Sequence, residues 1–162
     1  MSSIPDIEAT YKLSNNLSRL LLELARDFEK RALEKVHERG HTQIRRSHSS
    51  LFSNMGFSAV RLTELAERAG ITQQAMGKLV KEMEEEGYVR RSIDESDKRA
   101  KIIELTDLGK RLVSDSIEIV DEILEEYKGV LGQEGIEDLN NVLRSSASAL
   151  KLKTARSSAG WS

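Results

Sequence analysis

One stretch of the chain, from Arg61 to Leu105, constrains the fold most, because a short helix, a tight turn, a second helix and a charged hairpin follow one another there with almost no spare residues. Thr63 is positioned to cap the first helix, Gly70 to end it in a left-handed conformation, and Thr72 to cap the second. Two capped helices separated by so few residues predict a helix-turn-helix.

The second helix is predicted over residues 73–86 and has two different faces. Its apolar residues recur at helical spacing and are expected to face the core: Ala75, Met76, Leu79, Val80 and Met83. The opposite face carries Gln73, Gln74, Gly77, Lys78 and Lys81. Glutamine can pair with adenine, lysine reaches phosphate or guanine, and a glycine lets the helix backbone come close. This face suits the major groove of DNA, although a polar helix face is more often simply solvated.

A hairpin is predicted after this helix, with one strand over 88–93, a polar turn over 94–99 and a returning strand over 100–105. Lys98 and Arg99 lie at its tip, beside Asp97. A long cationic side chain on such a tip can enter the narrow minor groove, and a neighbouring aspartate can fix its direction. The alternative is a solvated tip with a weak surface ion pair.

Four motifs follow one another in this region: LTELA at 62–66, TQQAMGKLV at 72–80, DKRAK at 97–101 and LTDLG at 105–109. Their order and spacing resemble the MarR family of bacterial transcriptional regulators, and the resemblance covers nearly the whole chain. The Asp-x-Arg signature followed by a Leu-Thr helix start is its most specific part. It implies a homodimeric repressor with a recognition helix in the major groove, a wing arginine in the minor groove and, often, a small-molecule effector.

Carried onto this chain, the resemblance implies two groups of site residues. The DNA-binding group is Thr72, Gln73, Gln74, Gly77, Lys78, Lys81, Asp97, Lys98, Arg99 and Lys101. The ligand-binding group, for a small aromatic or phenolic molecule, is Phe28, His48, Phe52 and Met55, with residues of the helix after Thr106. Because a homodimer carries two recognition helices related by a two-fold axis, the double-stranded operator should be an imperfect palindrome.

Helical periodicity extends over most of the remaining chain. It predicts helices over 13–39, 44–55, 106–127 and 133–151, with a short third strand within 57–62. The fold class is therefore mainly α with a small β-wing. A winged helix-turn-helix lobe is expected over 44–105, a helical dimerisation region over 10–42 and 106–152, and a mobile tail over 153–162. The helix after Thr106 is apolar on more than one face, which favours a second copy as neighbour over a monomeric bundle.

Composition sets further bounds on function. The 162 residues suit one domain, and the net charge of −2 leaves any DNA affinity to local patches. The chain has no cysteine, which excludes a thiol redox switch. Because no apolar run approaches the length of a membrane span, a cytoplasmic protein without a membrane partner is expected.

Catalysis finds little support in the sequence. His37 and His41 stand one helical turn apart, but Gly40 interrupts the helix between them and the flanking residues are those of a solvated helix end, so no metal site is expected. Nucleophile-elbow, phosphate-loop and metalloprotease motifs are missing, and no cofactor is expected. Two other classes stay open: a winged-helix module for protein assembly, and a small enzyme with its site between helices.

Overall fold

The computed structural model describes residues 7–94, 97–98 and 100–152. The predicted mobile tail, 153–162, lies outside the described residues. Helices account for most of the described chain: α1 (Ile7–Ser14), α2 (Leu17–Glu38), α3 (Ser49–Met55), α4 (Leu62–Ala69), α5 (Gln73–Glu85) and α6 (Asp107–Ala149). The predicted fold class, mainly α with a small β-wing, is confirmed.

The wing is part of a three-stranded antiparallel sheet formed by β1 (Val60–Arg61), β2 (Val89–Ile93) and β3 (Lys101–Leu105). The strand order is β1-β3-β2, so β3 lies in the middle. The register pairs Val89 with Leu105 and Ile93 with Lys101. Both the predicted hairpin and the short third strand are therefore confirmed.

The prediction of a single long helix over 13–39 is wrong at its N-terminal end, because the helix is interrupted at Asn15 and Asn16. The side-chain oxygen of Asn16 accepts a hydrogen bond from Arg19 N at 3.0 Å, and its amide donates to Leu13 O at 2.9 Å. An asparagine that satisfies backbone groups on both sides ends one helix and caps the next.

The helix predicted over 44–55 is shorter than expected. Arg46–His48 form one 3-10 turn, and α3 begins at Ser49. Arg45 is extended, with φ −118°, and its backbone N–H donates to His48 Nδ1 at 3.1 Å. This side-chain hydrogen bond replaces a first helical turn. Gly56, with φ 59°, follows the last residue of α3, as predicted.

α4 begins at Leu62, one residue before its predicted cap. Arg61 occupies the N-cap position without a side-chain hydrogen bond, so the prediction that Thr63 caps this helix is wrong. β1 ends at Arg61 and α4 starts at the next residue, which means that strand pairing and not a capping side chain fixes where the helix begins.

Thr106 caps α6 as predicted, because its hydroxyl accepts a hydrogen bond from Gly109 N at 3.1 Å. The helical hydrogen bonding continues to Ala149 but is interrupted at Gly132, which has φ 75° and ψ 165°. The two predicted helices are therefore two segments, 107–131 and 133–149. The first is longer than expected.

We call α3, α4, α5 and the sheet the winged-helix lobe, and α1, α2 and α6 the helical region. The largest fully buried side chains come mainly from the lobe and from the first half of α6: Leu51, Leu65, Met76, Met83, Ile103, Leu112, Ile119 and Ile123. At the junction, a Cβ on Gly109 would lie 2.1 Å from Tyr88 O. Glycine there lets α6 pack directly on the backbone at the start of the wing.

Candidate nucleic-acid interface

The turn between α4 and α5 has the geometry that the sequence predicts. Gly70 adopts a left-handed conformation with φ 66°, and Ile71 N donates back to Ala66 O at 3.1 Å. Thr72 then caps α5, because its hydroxyl accepts a hydrogen bond from Ala75 N at 3.1 Å. The two helices are therefore held in a fixed relative direction by backbone and capping contacts.

One face of α5 is exposed and polar. Gln73, Gln74, Lys78 and Lys81 are all exposed, as predicted, and nothing lies within 4 Å of a Cβ built on Gly77. The buried face holds Met76, Val80 and Met83, each 0% exposed. The helix backbone near Gly77 is thus open to an approaching molecule, with amide and ammonium donors around it.

Ala75 departs from the prediction, because it is exposed and not part of the buried stripe. It lies in the first turn of α5, before Met76 begins the buried face. A small apolar residue beside the two glutamines adds a surface suited to apolar contact with a thymine methyl group. The exposed first turn is therefore wider than the sequence pattern predicts.

α5 is anchored in its C-terminal half by a buried histidine. His48 is 0% exposed. Because its Nδ1 accepts from Arg45 N at 3.1 Å, its Nε2 donates to Glu82 Oε2 at 3.0 Å. The hydrogen bond from His48 lowers the pKa of the Glu82 carboxyl. His48 therefore fixes α5 against the 3-10 turn before α3, a contact that its position in the sequence does not reveal.

The C-terminal end of α5 is tied to the wing by Glu84 and Arg91. Glu84 Oε1 accepts from Arg91 N at 3.1 Å and Oε2 accepts from Arg91 Nε at 2.7 Å. These hydrogen bonds, the side-chain bond first, lower the pKa of Glu84. Part of the negative charge at the glutamate-rich end of α5 is therefore used to hold β2.

The wing presents Asp97 and Lys98 in its loop, and Lys101 at the start of β3, all three exposed. Arg99, the predicted minor-groove residue, lies outside the described residues. Asp94, at the base of the loop, is only 8% exposed and binds Arg61 of β1 through Nε at 2.9 Å. Neither residue was predicted, because they are 33 positions apart and no local pattern joins them.

The four predicted ligand residues occupy different places. Phe28 lines a cavity of about 570 Å³ between α2 and both segments of α6. His48 and Met55 are buried in the lobe, and Phe52 is half-buried with its ring edge-on to Tyr88 at 6.1 Å. The cavity is mainly apolar; its lining includes Leu21, Leu24, Leu124, Tyr127, Leu139 and Leu143, with Asn140 and Arg144 as polar members.

The histidine pair near the end of α2 is engaged in other contacts. His37 Nε2 is 2.7 Å from Ile44 O. His41 is buried, with Nδ1 3.0 Å from the Tyr88 hydroxyl and Nε2 3.0 Å from Asp115 Oδ2. Among the described residues, no group of three or more acidic, histidine or cysteine side chains is arranged to hold a metal ion. Within the same residues, none of the helices combines the length and apolar character of a membrane span.

The helix-turn-helix, the exposed α5 face and the adjoining hairpin define a winged helix-turn-helix protein. Residues 43–100 match the model of the MarR family. The chain is 34% identical over 80 residues to the transcriptional regulator HosA of Escherichia coli O127:H6, an alignment covering 49% of this chain and 59% of that protein. Over this segment the chain is similar to the MarR family.

Solved structures extend the comparison beyond the lobe. Sco3205, a MarR family transcriptional regulator from Streptomyces coelicolor solved in complex with DNA, is 26% identical with a TM-score of 0.63, and the match covers 83% of this chain and 86% of that one. A MarR transcriptional regulator from Methanosarcina mazei Go1 has a TM-score of 0.70 at 21% identity, covering 84% and 97%. The shared fold therefore includes the helical region. The sequence match to HosA is shorter, and the chain spans just over half the length of that protein.

Proposed function

We propose that this protein is a sequence-specific DNA-binding transcriptional repressor that acts as a homodimer and is released from DNA by a small aromatic or phenolic ligand. The observation that carries the proposal is the exposed α5 face, where Gln73, Gln74, Lys78 and Lys81 surround an open backbone at Gly77. A fixed helix with adaptable amide and ammonium donors is suited to base and phosphate contacts. The solved complex of Sco3205 with DNA supports it.

The two glutamines and the two lysines have different roles in DNA binding. Gln73 and Gln74 lie in the first turn of α5, where a recognition helix meets base edges, whereas Lys78 and Lys81 lie further along and reach phosphates. Replacing a glutamine with alanine should relax the base preference. Replacing a lysine should weaken binding to all sequences and reduce the slope of affinity against salt by about one.

The decisive experiment is selection of bound sequences from a random DNA pool, followed by titration of the variants on the selected site. A palindromic site, lost base preference in the glutamine variants and a gel shift on the protein's own upstream DNA are the expected results. A winged-helix module for protein assembly would select no sequence. Unchanged preference in both glutamine variants would show that another surface reads the DNA.

The wing arginine adds a second contact. Arg99→Ala should cost about 1–3 kcal/mol of specific DNA affinity and leave folding and dimerisation intact, because a minor-groove arginine contributes to binding alone. Asp97→Ala should act in the same direction. Operator affinity equal to wild type in both variants would remove the wing from the proposed interface.

The homodimer is supported by the apolar residues that the helical region leaves exposed, among them Leu17, Leu20, Leu22, Val142 and Leu150. A second copy of the chain would bury them. Sedimentation velocity at micromolar concentration should give a dimer. A monomer would contradict both this part of the proposal and the palindromic operator.

The ligand part of the proposal is supported by the cavity beside Phe28, whose volume of about 570 Å³ suits an aromatic acid. Arg144 donates through Nε to Asn140 Oδ1 at 3.0 Å, so the polar members of the lining are already linked. A ligand bound there must lower DNA affinity by the same factor by which DNA lowers ligand affinity.

A thermal-shift screen of aromatic acids and phenols, followed by titration of the protein–DNA complex, tests this part. Phe28→Leu should abolish both the stabilisation and the release of DNA. Phe52→Leu is the matched variant in the winged-helix lobe and should change neither. The reverse pattern would move the ligand to the lobe, beside Phe52, Met55 and His48.

A further inference from the structure

An ion pair joins the two outer strands of the sheet where the wing leaves it. Arg61 belongs to β1, and Asp94 follows the last residue of β2. The guanidinium donates to the same carboxylate oxygen, Asp94 Oδ2, through Nε at 2.9 Å and Nη2 at 2.5 Å. Two hydrogen bonds between a fork-shaped cation and a carboxylate fix direction as well as distance.

The contact crosses the middle strand. β3 separates β1 from β2, and Arg61 pairs in register with Ile102 of β3. The wing loop begins at Asp94, whose N–H donates to Ala100 O at 3.1 Å. Ala100 N in turn donates to Asp97 O at 2.8 Å. The Arg61 side chain therefore reaches over β3 to Asp94. The loop begins at Asp94, and its returning end is hydrogen-bonded to Asp94 through Ala100.

We propose that Arg61 is a positioning residue for DNA binding. Its hydrogen-bonded pair with Asp94, here called the clasp, fixes the base of the wing loop and so the direction in which Lys98 is presented. The inference rests on the proposed function. It assigns a role to an arginine of the first strand that lies outside the helix-turn-helix and outside the wing. In this role Arg61 touches Asp94 and not the nucleic acid.

The electrostatic environment of Arg61 favours this positioning role over a direct contact with a DNA phosphate. The hydrogen bond with Asp94 raises the pKa of Arg61, and the charge of Asp97 acts in the same direction. The positive charge of Arg61 is therefore balanced by carboxylates of its own chain. A guanidinium held in this way offers little net charge to a phosphate.

A neighbouring pair provides a matched comparison. Arg90 Nε donates to Glu104 Oε2 at 2.7 Å between strands that are directly paired in register. The Arg90 side chain is 70% exposed, and the Glu104 side chain is 33% exposed, against 11% for the Asp94 side chain. The Arg90–Glu104 pair lies within the hairpin and does not reach the loop, so it serves as the charge-matched control.

The first experiment compares operator affinity in Arg61→Gln, Asp94→Ala and Arg90→Gln. Loss of the clasp should weaken specific binding about fivefold in both Arg61→Gln and Asp94→Ala, by analogy with the loss of one charged hydrogen-bonded pair. The salt slope should stay unchanged, because no phosphate contact is lost. Asp94→Ala is the sharper variant: it adds net positive charge to the binding surface, so tighter binding would overturn the proposal. Arg90→Gln should bind within about twofold of wild type.

A double-mutant cycle tests whether Arg61 acts through the wing. In an Arg99→Ala background, Arg61→Gln should have almost no further effect, because the proposed minor-groove contact of the wing is already missing. In a Gln73→Ala background, the fivefold loss should persist in full, since the two surfaces are independent. Additive losses with Arg99→Ala would show that Arg61 contributes through a contact of its own and would overturn the inference.

Amide hydrogen exchange of the free protein separates this inference from the proposed function. Arg61→Gln should speed exchange at the amides of Asp94 and Ala100 by about fivefold relative to wild type, while the amides of Met76 and Val80 in α5 keep their rates. Faster exchange in Arg61→Gln, together with a wild-type protein that selects no DNA, would refute the proposed function and leave the clasp standing. Unchanged exchange and unchanged affinity in Arg61→Gln, with wild-type DNA binding intact, would refute the clasp alone.

Discussion

The winged-helix lobe and the helical region differ in how much of their apolar surface they bury. In the lobe, three short helices and a sheet enclose side chains such as Leu51, Leu65 and Met83, each 0% exposed. In the helical region, α2 runs for 22 residues and contributes a single buried residue, Val36. The lobe therefore holds a core of its own, whereas α2 is exposed over residues 17–26 and is covered on one side only in its second half.

Ion pairs, in addition to apolar contacts, hold the covered side of α2 to α6. Lys35 Nζ lies 3.1 Å from Glu122 and 2.9 Å from Glu126, and Arg39 Nη1 lies 2.8 Å from Glu118. Such partly exposed pairs orient two helices more than they stabilise them. The lobe thus buries its apolar side chains within one chain, whereas the helical region leaves apolar side chains exposed that the proposed homodimer would cover.

The largest effect is expected from placing a charge on the open side of α2. Leu20 is 58% exposed, so Leu20→Glu should not unfold the chain, but it should prevent a second copy from packing there. Loss of the two-fold arrangement turns bivalent into monovalent DNA binding, which should weaken operator affinity about 100-fold or more. Sedimentation velocity and operator titration together measure this.

Phe57 supplies the matched control, since it is 50% exposed but belongs to the winged-helix lobe. Phe57→Glu should remain dimeric. If Leu20→Glu also stays dimeric with full operator affinity, the open side of α2 has another role and the contrast between the two regions loses its functional meaning.

The junction of the two regions should show the next largest effect. A Cβ on Gly109 would meet Tyr88 O at 2.1 Å, which is a backbone atom that cannot move independently. Gly109→Ala should therefore destabilise the protein by about 1–3 kcal/mol, because α6 must shift away from the wing. Gly129→Ala, in the same helix with nothing within 4 Å of its Cβ, should stabilise it slightly. Equal unfolding free energies for both variants would show that the junction is loose.

Sequence patterns predicted most of the lobe because its signals are local. Gly70 ends α4 and Thr72 caps α5, and the two residues lie within three positions of the sequence. The exposed face of α5 follows from helical spacing alone. The break at Asn16 was missed because an apolar period continues across it, and the Asn16 side chain competes with the helix only through its own hydrogen bonds.

Contacts between distant residues account for the other errors and omissions. Thr63 does not cap α4, because pairing of β1 with β3 fixes where that helix starts. The contact of His48 with Glu82 was not predicted, because the two residues lie 34 positions apart. The Arg61–Asp94 pair likewise joins residues far apart in the chain. Such contacts are set by topology, which no local pattern encodes.

A smaller effect should appear on the exposed face of the lobe. No atom lies within 4 Å of a Cβ on Gly77, so Gly77→Ala should raise the unfolding free energy by about 0.5–1 kcal/mol through helix propensity. If α5 approaches DNA closely there, the same substitution should nevertheless lower operator affinity. Gly129→Ala should bring a comparable gain in stability with unchanged affinity. Equal operator affinity for Gly77→Ala and wild type would mean that the DNA does not reach this part of the helix.

The smallest effect is expected from two glutamates that form ion pairs, Glu84 in the winged-helix lobe and Glu126 in the helical region. Glu84 has a lowered pKa because the Arg91 side chain and then its backbone N–H donate to the carboxylate, whereas Glu126 has a lowered pKa mainly through Lys35. A carboxyl whose folded pKa lies below its unfolded value of 4.5 stabilises the fold above pH 4.5 and loses this contribution as the pH falls through the folded pKa. Since the Glu84 side chain is 35% exposed, its contribution should stay below about 1 kcal/mol.

The measurement is the unfolding free energy as a function of pH for wild type, Glu84→Gln and Glu126→Gln. The difference between wild type and Glu84→Gln should be constant above about pH 5 and shrink toward zero at lower pH, because protonation removes the same charge as the substitution. Glu126→Gln should show a weaker dependence, since side-chain contacts alone hold that carboxylate. A larger acid-dependent loss for Glu126 than for Glu84 would reverse the comparison and make the ionic contacts of α2 and α6, and not the tie between α5 and the wing, the more important of the two.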